Sequence, residues 1–469
     1  MAYNRQDILE VHKDYKENVT NWEYYIRSYN GGYDYMVGQY LNRYNLELDN
    51  EFNQRLANTP CDNHCKNIVQ IYSSFLFRTK PSRDFGSMSE EITLAKFLKD
   101  ADLDGNNFNT VIKQAQNYSS IYGHVFLILD KPKVQTDTKA QEIDEDIRPY
   151  LSIVTPENVL DWNFTRLLNG KYVLNYLKVR EEVDKKGGTY MRVWYTDRVE
   201  TVYVEDQTSD PIVIDTADNQ IGKIPAVILY NAKSHKRGIG QSDLVDIADL
   251  QRSIYNEFSE IEQLIRLTNH PSLVKTAGVN ASAGAGAVIE MPDELEPNLK
   301  PYLLQPSGQN LNAIMDSINK KVDSINRIAH TGAVRTTKTQ VSSGIALQTE
   351  FELLNARLSE KADNLELAEE QLFKLYADYQ NTKFDGDINY PDSFNIRDYA
   401  SDLMYFQQAK ALSINSPTFN KEVDKEIARA VVDDDEKLNE IFDEIEAQAE
   451  IGQFTQDEVQ QETVEEEQI

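Results

Sequence analysis

Four short clusters of side chains have types and spacings that could do chemistry. Cys61 and Cys65 flank His64 within one helical turn. That offers zinc three ligands and no fourth nearby, and a disulfide inside one turn is geometrically awkward. Ordinary reduced thiols are the expectation. Asp102-Leu-Asp-Gly-Asn-Asn107 sets carboxylates at alternate positions beside a glycine but lacks the closing glutamate of a calcium loop. A capped helix start is expected there. The Gly-rich run Ala277 to Ala287 has no following Lys-Ser, so a turn is preferred to a phosphate cradle. Asp433-Asp-Asp-Glu436 is acidic enough to hold a cation weakly, and solvated charge at a helix start is its simpler use.

Larger catalytic motifs are missing. The chain contains no G-x-x-x-x-G-K-[ST], H-E-x-x-H or G-x-S-x-G. His12, His64, His124, His235, His270 and His330 are scattered without metal-like spacing or a local carboxylate partner. A nuclease with a carboxylate-bound metal would need an acidic constellation on the sheet, where the strands around Val125 and Tyr150 offer only Asp130. No catalytic residue, metal or cofactor is expected.

The elements that would position any site are mainly helical. From Ser342 to Gln380 apolar residues recur every three or four positions, among them Phe351, Leu354, Leu358, Leu365 and Leu372. This is one amphipathic helix of roughly 55 Å at 1.5 Å per residue. A shorter run from Leu311 to His330 repeats the pattern, and the joint Thr331 to Ser343 is polar, β-branched and helix-poor. Upstream, short helices broken at Gly31-Gly32 are followed by one opened by Asn58-Thr59-Pro60. Two more cover Glu90 to Lys99 and Phe108 to Tyr122.

The period then changes to that of strands. Val125–Leu129, Tyr150–Val154, a hairpin turning at Lys185-Lys-Gly-Gly188, Ile212–Ile214 and Ala226–Leu229 are read as one mostly antiparallel sheet. A helix of about 28 residues begins near Leu244 and is stopped by Asn269-His270-Pro271. Strand-like Ser272–Lys275 and Ala287–Glu290 follow among prolines. Phe384 to Pro391 reads as a loop, and a helical region runs from Arg397 to about Ala449 with a break near Ser416-Pro417. The fold class is α+β and multidomain, helix-rich around a mostly antiparallel sheet domain.

The chain has 469 residues, 40% of them hydrophobic and 10% aromatic, enough to build real cores in several domains. Its formal charge is −29. The stretch from Asp433 to Ile469 holds 15 Asp or Glu against one Lys, and so supplies about half of that excess. Such a chain has no bulk attraction for nucleic acid; contact with a polyanion must come from local basic groups. No window is apolar enough to span a membrane and no signal-like segment opens the chain, so a cytosol-like compartment and no membrane partner are expected.

Three segments carry a family resemblance: Ile224-Pro-Ala-Val-Ile-Leu-Tyr-Asn231 leading into a helix through Gly238, Thr155-Pro-Glu-Asn-Val-Leu-Asp-Trp162, and Ser342-Ser-Gly-Ile-Ala-Leu-Gln-Thr-Glu350. In this order, across roughly residues 60 to 400, the chain resembles the portal proteins of tailed bacteriophages. The resemblance implies a ring of identical subunits, usually twelve, around a tunnel at one capsid vertex. It would carry double-stranded DNA during packaging and ejection without reading sequence. The major capsid protein, the terminase and then neck or tail adaptor proteins would be its partners. Its location would be the virion, after assembly in the host cytoplasm.

Carried onto this chain, the resemblance makes residues 1–240 the wing, 241–269 and 311–330 two stem helices, and 270–310 a short clip. Residues 331–343 become a tunnel loop, 344–381 a long wing helix, 382–449 a crown and 450–469 a disordered acidic tail. Arg335 and Lys338 would face DNA from the loop, hinged at Gly332 and Gly344. Two other readings remain open at this point: a metal-dependent nucleic-acid-processing enzyme, and a helical scaffold or adaptor.

Overall fold

The computed structural model describes residues 8–132, 139–185, 187–205, 210–269, 272–275, 302–304, 309–335, 344–391, 393–394, 399–412, 414, 416–432, 437–438, 440–442 and 444–446. These fall into two compact units, 1–394 and 395–469. The first opens with α1 (Lys13–Asn30) and α2 (Gly32–Val37), broken at Gly31 as the sequence suggests. Next come α3 (Asp49–Asn58) and α4 (His64–Leu76). Asn58 therefore ends a helix instead of opening one. The following helix starts later because the Asn63 side chain accepts from the Lys66 N–H at 2.8 Å, a cap that Pro60 cannot supply.

Strand β1 (Ser82–Asp84), α5 (Ile92–Lys99) and α6 (Phe108–Tyr122) lead into β2 (His124–Asp130). Asn107 caps α6 through the Thr110 N–H at 2.9 Å, so the Asp102 to Asn107 segment is the expected helix start. Asp102 is occupied with the backbone N–H groups of Asp104 and Asn106 and with the Asn106 amide, a local loop and not a cation shell. After α7 (Lys139–Asp144) come β3 (Tyr150–Val154), β4 (Val159–Arg166), β5 (Tyr172–Val183), β6 (Thr189–Tyr195), β7 (Arg198–Val204), β8 (Ile212–Asp218) and β9 (Ala226–Tyr230).

The expected single sheet is two. Strands β4 to β8 form a five-stranded antiparallel meander in sequence order, while β9 returns to pair with β2 in a three-stranded sheet ordered β3-β2-β9. Strand β4 was not distinguished in the sequence, and Tyr190 to Val204 proves to be two strands, β6 and β7. The β5–β6 turn lies where expected, closed by the Asp184 N–H on the Gly188 carbonyl at 2.7 Å with Gly187 at φ +91°.

Helix α8 (Val245–Asn269) runs out to β10 (Ser272–Val274), which pairs antiparallel with β11 (Tyr302–Leu304), and α9 (Gln309–Ile328) runs back. The expected strand Ala287–Glu290 and the run Ala277 to Ala287 lie outside the described residues, as do Asp433–Glu436 and the tail 450–469. A short α10 (Gly332–Arg335) precedes α11 (Gly344–Gln380), and β12 (Asp387–Asn389) pairs with β1. The stretch Phe384 to Pro391 is thus not all loop. The second unit contains α12 (Tyr399–Ala411) and α13 (Pro417–Val431), with Ser416 capping and Pro417 at the first helical position, where a missing N–H costs nothing.

One core cluster joins α4, α6, the three-stranded sheet, the root of α8, the end of α9 and most of α11. Leu354, Leu358, Ala362, Leu365, Ala368 and Leu372 of α11 are all buried in it, the stripe that the sequence marks. Within that stripe sits Lys361, fully buried. Its ammonium donates to Asp243 Oδ2 at 2.6 Å, to Ser120 Oγ at 3.2 Å and to Asn231 Oδ1, and lies 5.1 Å from the Tyr72 ring centre.

Asp243 also accepts from Arg357 at 2.8 Å and from the Asn231 amide at 2.9 Å. Burial by itself would raise the Asp243 pKa; Lys361 and Arg357 outweigh it and hold the carboxyl below its usual range. Burial likewise pulls the Lys361 pKa down, against the attraction of Asp243. Two cations share one carboxylate, so we take the carboxylate as ionised and assign the burden of burial to the ammonium. Close backbone approach completes the junction. Gly123 ends α6 at φ +94°, and a Cβ on it would meet the Gly240 carbonyl carbon at 2.7 Å.

Asp243→Asn, which strands the Lys361 charge, is expected to lower the unfolding free energy by about 3–5 kcal/mol in urea titration. Asp243→Asn combined with Lys361→Met is expected to lose less than the single change, because no buried charge is then left alone.

Candidate functional site

The region with the features of a site is the α8–α9 hairpin and the turn that carries the chain from it into α11. The hairpin is held to the body near its root. Gln251 of α8 accepts from the Cys65 N–H at 2.8 Å and donates to the Ser28 carbonyl at 2.9 Å. Arg55 of α3 reaches Ser259 at 2.9 Å while forming a buried bidentate pair with Glu47 at 2.8 Å. At the returning end the Tyr72 hydroxyl donates to the Ala329 carbonyl at 2.6 Å. Between the two helices Glu257 accepts from Ser317 at 2.7 Å and pairs with Lys321.

Cover is incomplete along both helices. Ile247, Ile254 and Ile261 of α8 are buried, but Ile265 and Leu267 beyond them are 42% and 46% exposed. On α9, Ile325 and Ile318 are buried and Met315 is 40% exposed. The hairpin therefore carries apolar side chains that the rest of its own unit leaves open to solvent, in its outer half and also at its root, where Val245 and Ile328 are 44% and 43% exposed. No helix among the described residues is long and apolar enough to cross a membrane.

The turn is more ordered than a helix-poor joint suggests. Helix α9 stops with His330 at φ +53° and the Thr331 N–H on the Asn326 carbonyl at 2.9 Å, a left-handed stop of Schellman type. The four residues Gly332–Arg335 then form α10, because the Val334 and Arg335 N–H groups both return to the Thr331 carbonyl. Gly332 lies against α11: a Cβ there would come within 2.5 Å of a Glu350 carboxylate oxygen. Gly344 is the first residue of α11. Lys338 lies outside the described residues.

Arg335 is turned inward in the single subunit. Its Nη2 lies 2.7 Å from His64 Nδ1, and the other ring nitrogen of His64 is 3.1 Å from an Asp62 carboxylate oxygen. The contact with Arg335 requires Nδ1 to accept, so the proton of a neutral ring sits on Nε2, facing Asp62. Burial lowers the Arg335 pKa, opposed by the Asp62 charge, and the hydrogen bond from His64 holds the Asp62 carboxyl below its usual range.

The other sequence candidates are consumed by structure. Cys61 and Cys65 are free thiols, Cys61 pushed up to about 11 by burial and Cys65 pushed higher still. Asp130 is paired with Arg192 at 2.7 Å, and His124 is pushed down to about 3 by complete burial. Among the described residues no group of three or more His, Cys, Asp or Glu is arranged to hold a metal ion. The Asp243–Lys361–Arg357 junction went unread in the sequence. Its one local signal is that Lys361 occupies a position three residues after Leu358 and four before Leu365, on the apolar stripe.

A family model described as phage portal protein, SPP1 Gp6-like, matches residues 6–467. The chain belongs to this portal family. No curated protein matches it. Among solved structures, a chain of the virion of a native gene transfer agent particle aligns with TM-score 0.42 and 9% identity, covering 75% of this chain and 85% of that one. A chain from the neck of an empty particle of the same agent aligns with TM-score 0.42 and 11% identity over 74% and 84%. Family membership makes this a structural protein of phage particles.

Arg335→Ala is expected to cost about 0.5–1.5 kcal/mol of stability, one half-buried hydrogen bond, as read by chemical denaturation. A fully folded Arg335→Ala protein is then available for tests of the loop.

Proposed function

We propose that copies of this chain stand in a ring, twelve in the usual portal arrangement, around a passage for double-stranded DNA at one capsid vertex. In this reading residues 1–240 are wing, α8 and α9 are stem helices, 270–310 the clip that docks the terminase and later neck or tail proteins, and 331–343 the tunnel loop. Residues 344–381 are the long wing helix and 382–449 the crown. The ring sits in the capsid wall beside the major capsid protein, having assembled in the host cytoplasm. It serves DNA packaging and ejection.

The observation that carries this reading is the hairpin with a tied root and uncovered apolar side chains along its length. Such a face is stabilised when neighbouring copies supply the missing side. Charge supports it as well. At −29 per chain, a ring presents DNA with predominantly repulsive walls, so a phosphate backbone slides instead of sticking. Attraction is then confined to narrow rings of basic side chains, for which Arg335 and Lys338 are the candidates, with Gly332 and Gly344 as hinges. Arg335 reaches a phosphate by swinging away from His64, and its contact would position DNA without reading bases.

Negative-stain microscopy of the purified full chain is expected to show rings with an axial hole; a protein that stays a compact monomer at every concentration and salt tested removes the reading. Arg335→Ala with Lys338→Ala is expected to leave rings intact while lowering the amount of DNA packaged or retained. Capsids of the double variant with normal DNA content would remove those two residues from the passage.

A further inference from the structure

Two surfaces of the first unit are open to solvent and opposite in charge. Strand β8 is an edge of the five-stranded sheet, paired with β7 alone among the described residues. Ile212, Val213 and Ile214 are 59%, 37% and 54% exposed, so side chains on both faces of the strand are uncovered. Asp210 and Asp215 lie on either side of this triplet, and Asp218 ends the strand. An apolar edge strand of this kind is a template for another chain, and acidic residues limit which chain that is.

The second surface is a cleft of about 390 Å³ bounded by the β4–β5 end of the same sheet, by β9 and by α11. Apolar side chains line it, Leu174, Ile224, Leu367 and Leu375 among them, and Lys171, Lys223, Lys233 and Lys374 surround it. Lys223 pairs with Asp378 and Lys374 with Glu370. Lys171 and Lys233 have no ion pair among the described residues. Arg237 adds a further cation at the border, 3.6 Å from the centre of the Tyr172 ring. In a chain this acidic, five cations around an apolar floor, with Lys171 and Lys233 outside any ion pair among the described residues, favour an acidic, apolar segment.

We propose that the cleft receives the β8 edge of a neighbouring copy of this chain. The two surfaces lie at opposite edges of one five-stranded sheet, about 19 Å apart at four strand spacings. One copy does not satisfy itself, and the contact is head to tail. A heterologous contact of this kind propagates around a ring, and this inference rests on the ring reading above. It adds a lateral bond between the sheet regions of adjacent copies, separate from packing along the α8–α9 hairpins. Apolar burial of Ile212 to Ile214 supplies the attraction, and the Asp-to-Lys pairing sets direction.

The test uses the full chain and sedimentation velocity across concentration. Asp210→Lys with Asp218→Lys, and separately Lys171→Glu with Lys233→Glu, are each expected to raise the concentration of half-assembly about tenfold. All four changes in one chain are expected to restore it substantially, with circular dichroism melts confirming that every variant folds. In a Cys61→Ser background, mixing Ile214→Cys chains with Leu367→Cys chains is expected to give bismaleimide-linked dimers that neither chain forms alone. Rings from both charge variants at wild-type concentrations, no recovery in the fourfold variant, or no mixed crosslink within assembled rings would each overturn the contact while leaving the ring reading intact. A wild-type chain that never assembles removes both.

Discussion

The fold turns on one buried ion pair. Asp243 stands at the point where the chain leaves the β9 sheet for α8, and Lys361 stands at the middle of α11. Removing two charges from water is costly unless their remaining hydrogen-bonding capacity is filled, and here Ser120, Asn231 and Arg357 fill it. The pair is a specificity device more than a source of raw stability. It ties the middle of a long helix to Ser120, Asn231 and Asp243 at one place along its apolar stripe.

A second clamp works further along the same helix. Arg83 of β1 forms a bidentate pair with the buried Glu369 at 2.6 and 2.8 Å, and the Tyr390 hydroxyl donates to Glu369 at 2.6 Å. Residues more than 280 positions apart are thereby closed around α11, and the small β1–β12 ribbon gains a reason to exist. Helix α11 is thus pinned at two points by charge and between them by leucine and alanine packing.

How much of this was legible follows from the range of each signal. The α11 stripe, the Phe108–Tyr122 helix and the Lys185–Gly188 turn are written in short-range periodicity and turn chemistry, and they lie where the sequence places them. The start of α4 was misplaced because Pro60 is a strong local mark, whereas the Asn63 cap is decided by competing side-chain bonds. The division into two sheets was hidden because the alternation in Ala226–Leu229 is the same whichever neighbour pairs with it; only the return of β9 to β2 decides. The candidate loop was legible as a joint between two helices. The inward turn of Arg335 was not, since His64 is more than 270 positions away.

The outgoing and returning helices end on a common patch. Asp243 at the foot of α8 holds Lys361, Lys361 lies beside the Tyr72 ring, and Tyr72 holds the Ala329 carbonyl at the close of α9. Helix α8, at 25 residues, is a rod of about 37 Å. A sideways load on its outer end is carried first by the Arg55–Ser259 and Gln251 ties, and what they let through reaches that patch as torque. The hairpin is mechanically a lever clamped part-way along, and its root meets the long helix through a few polar atoms.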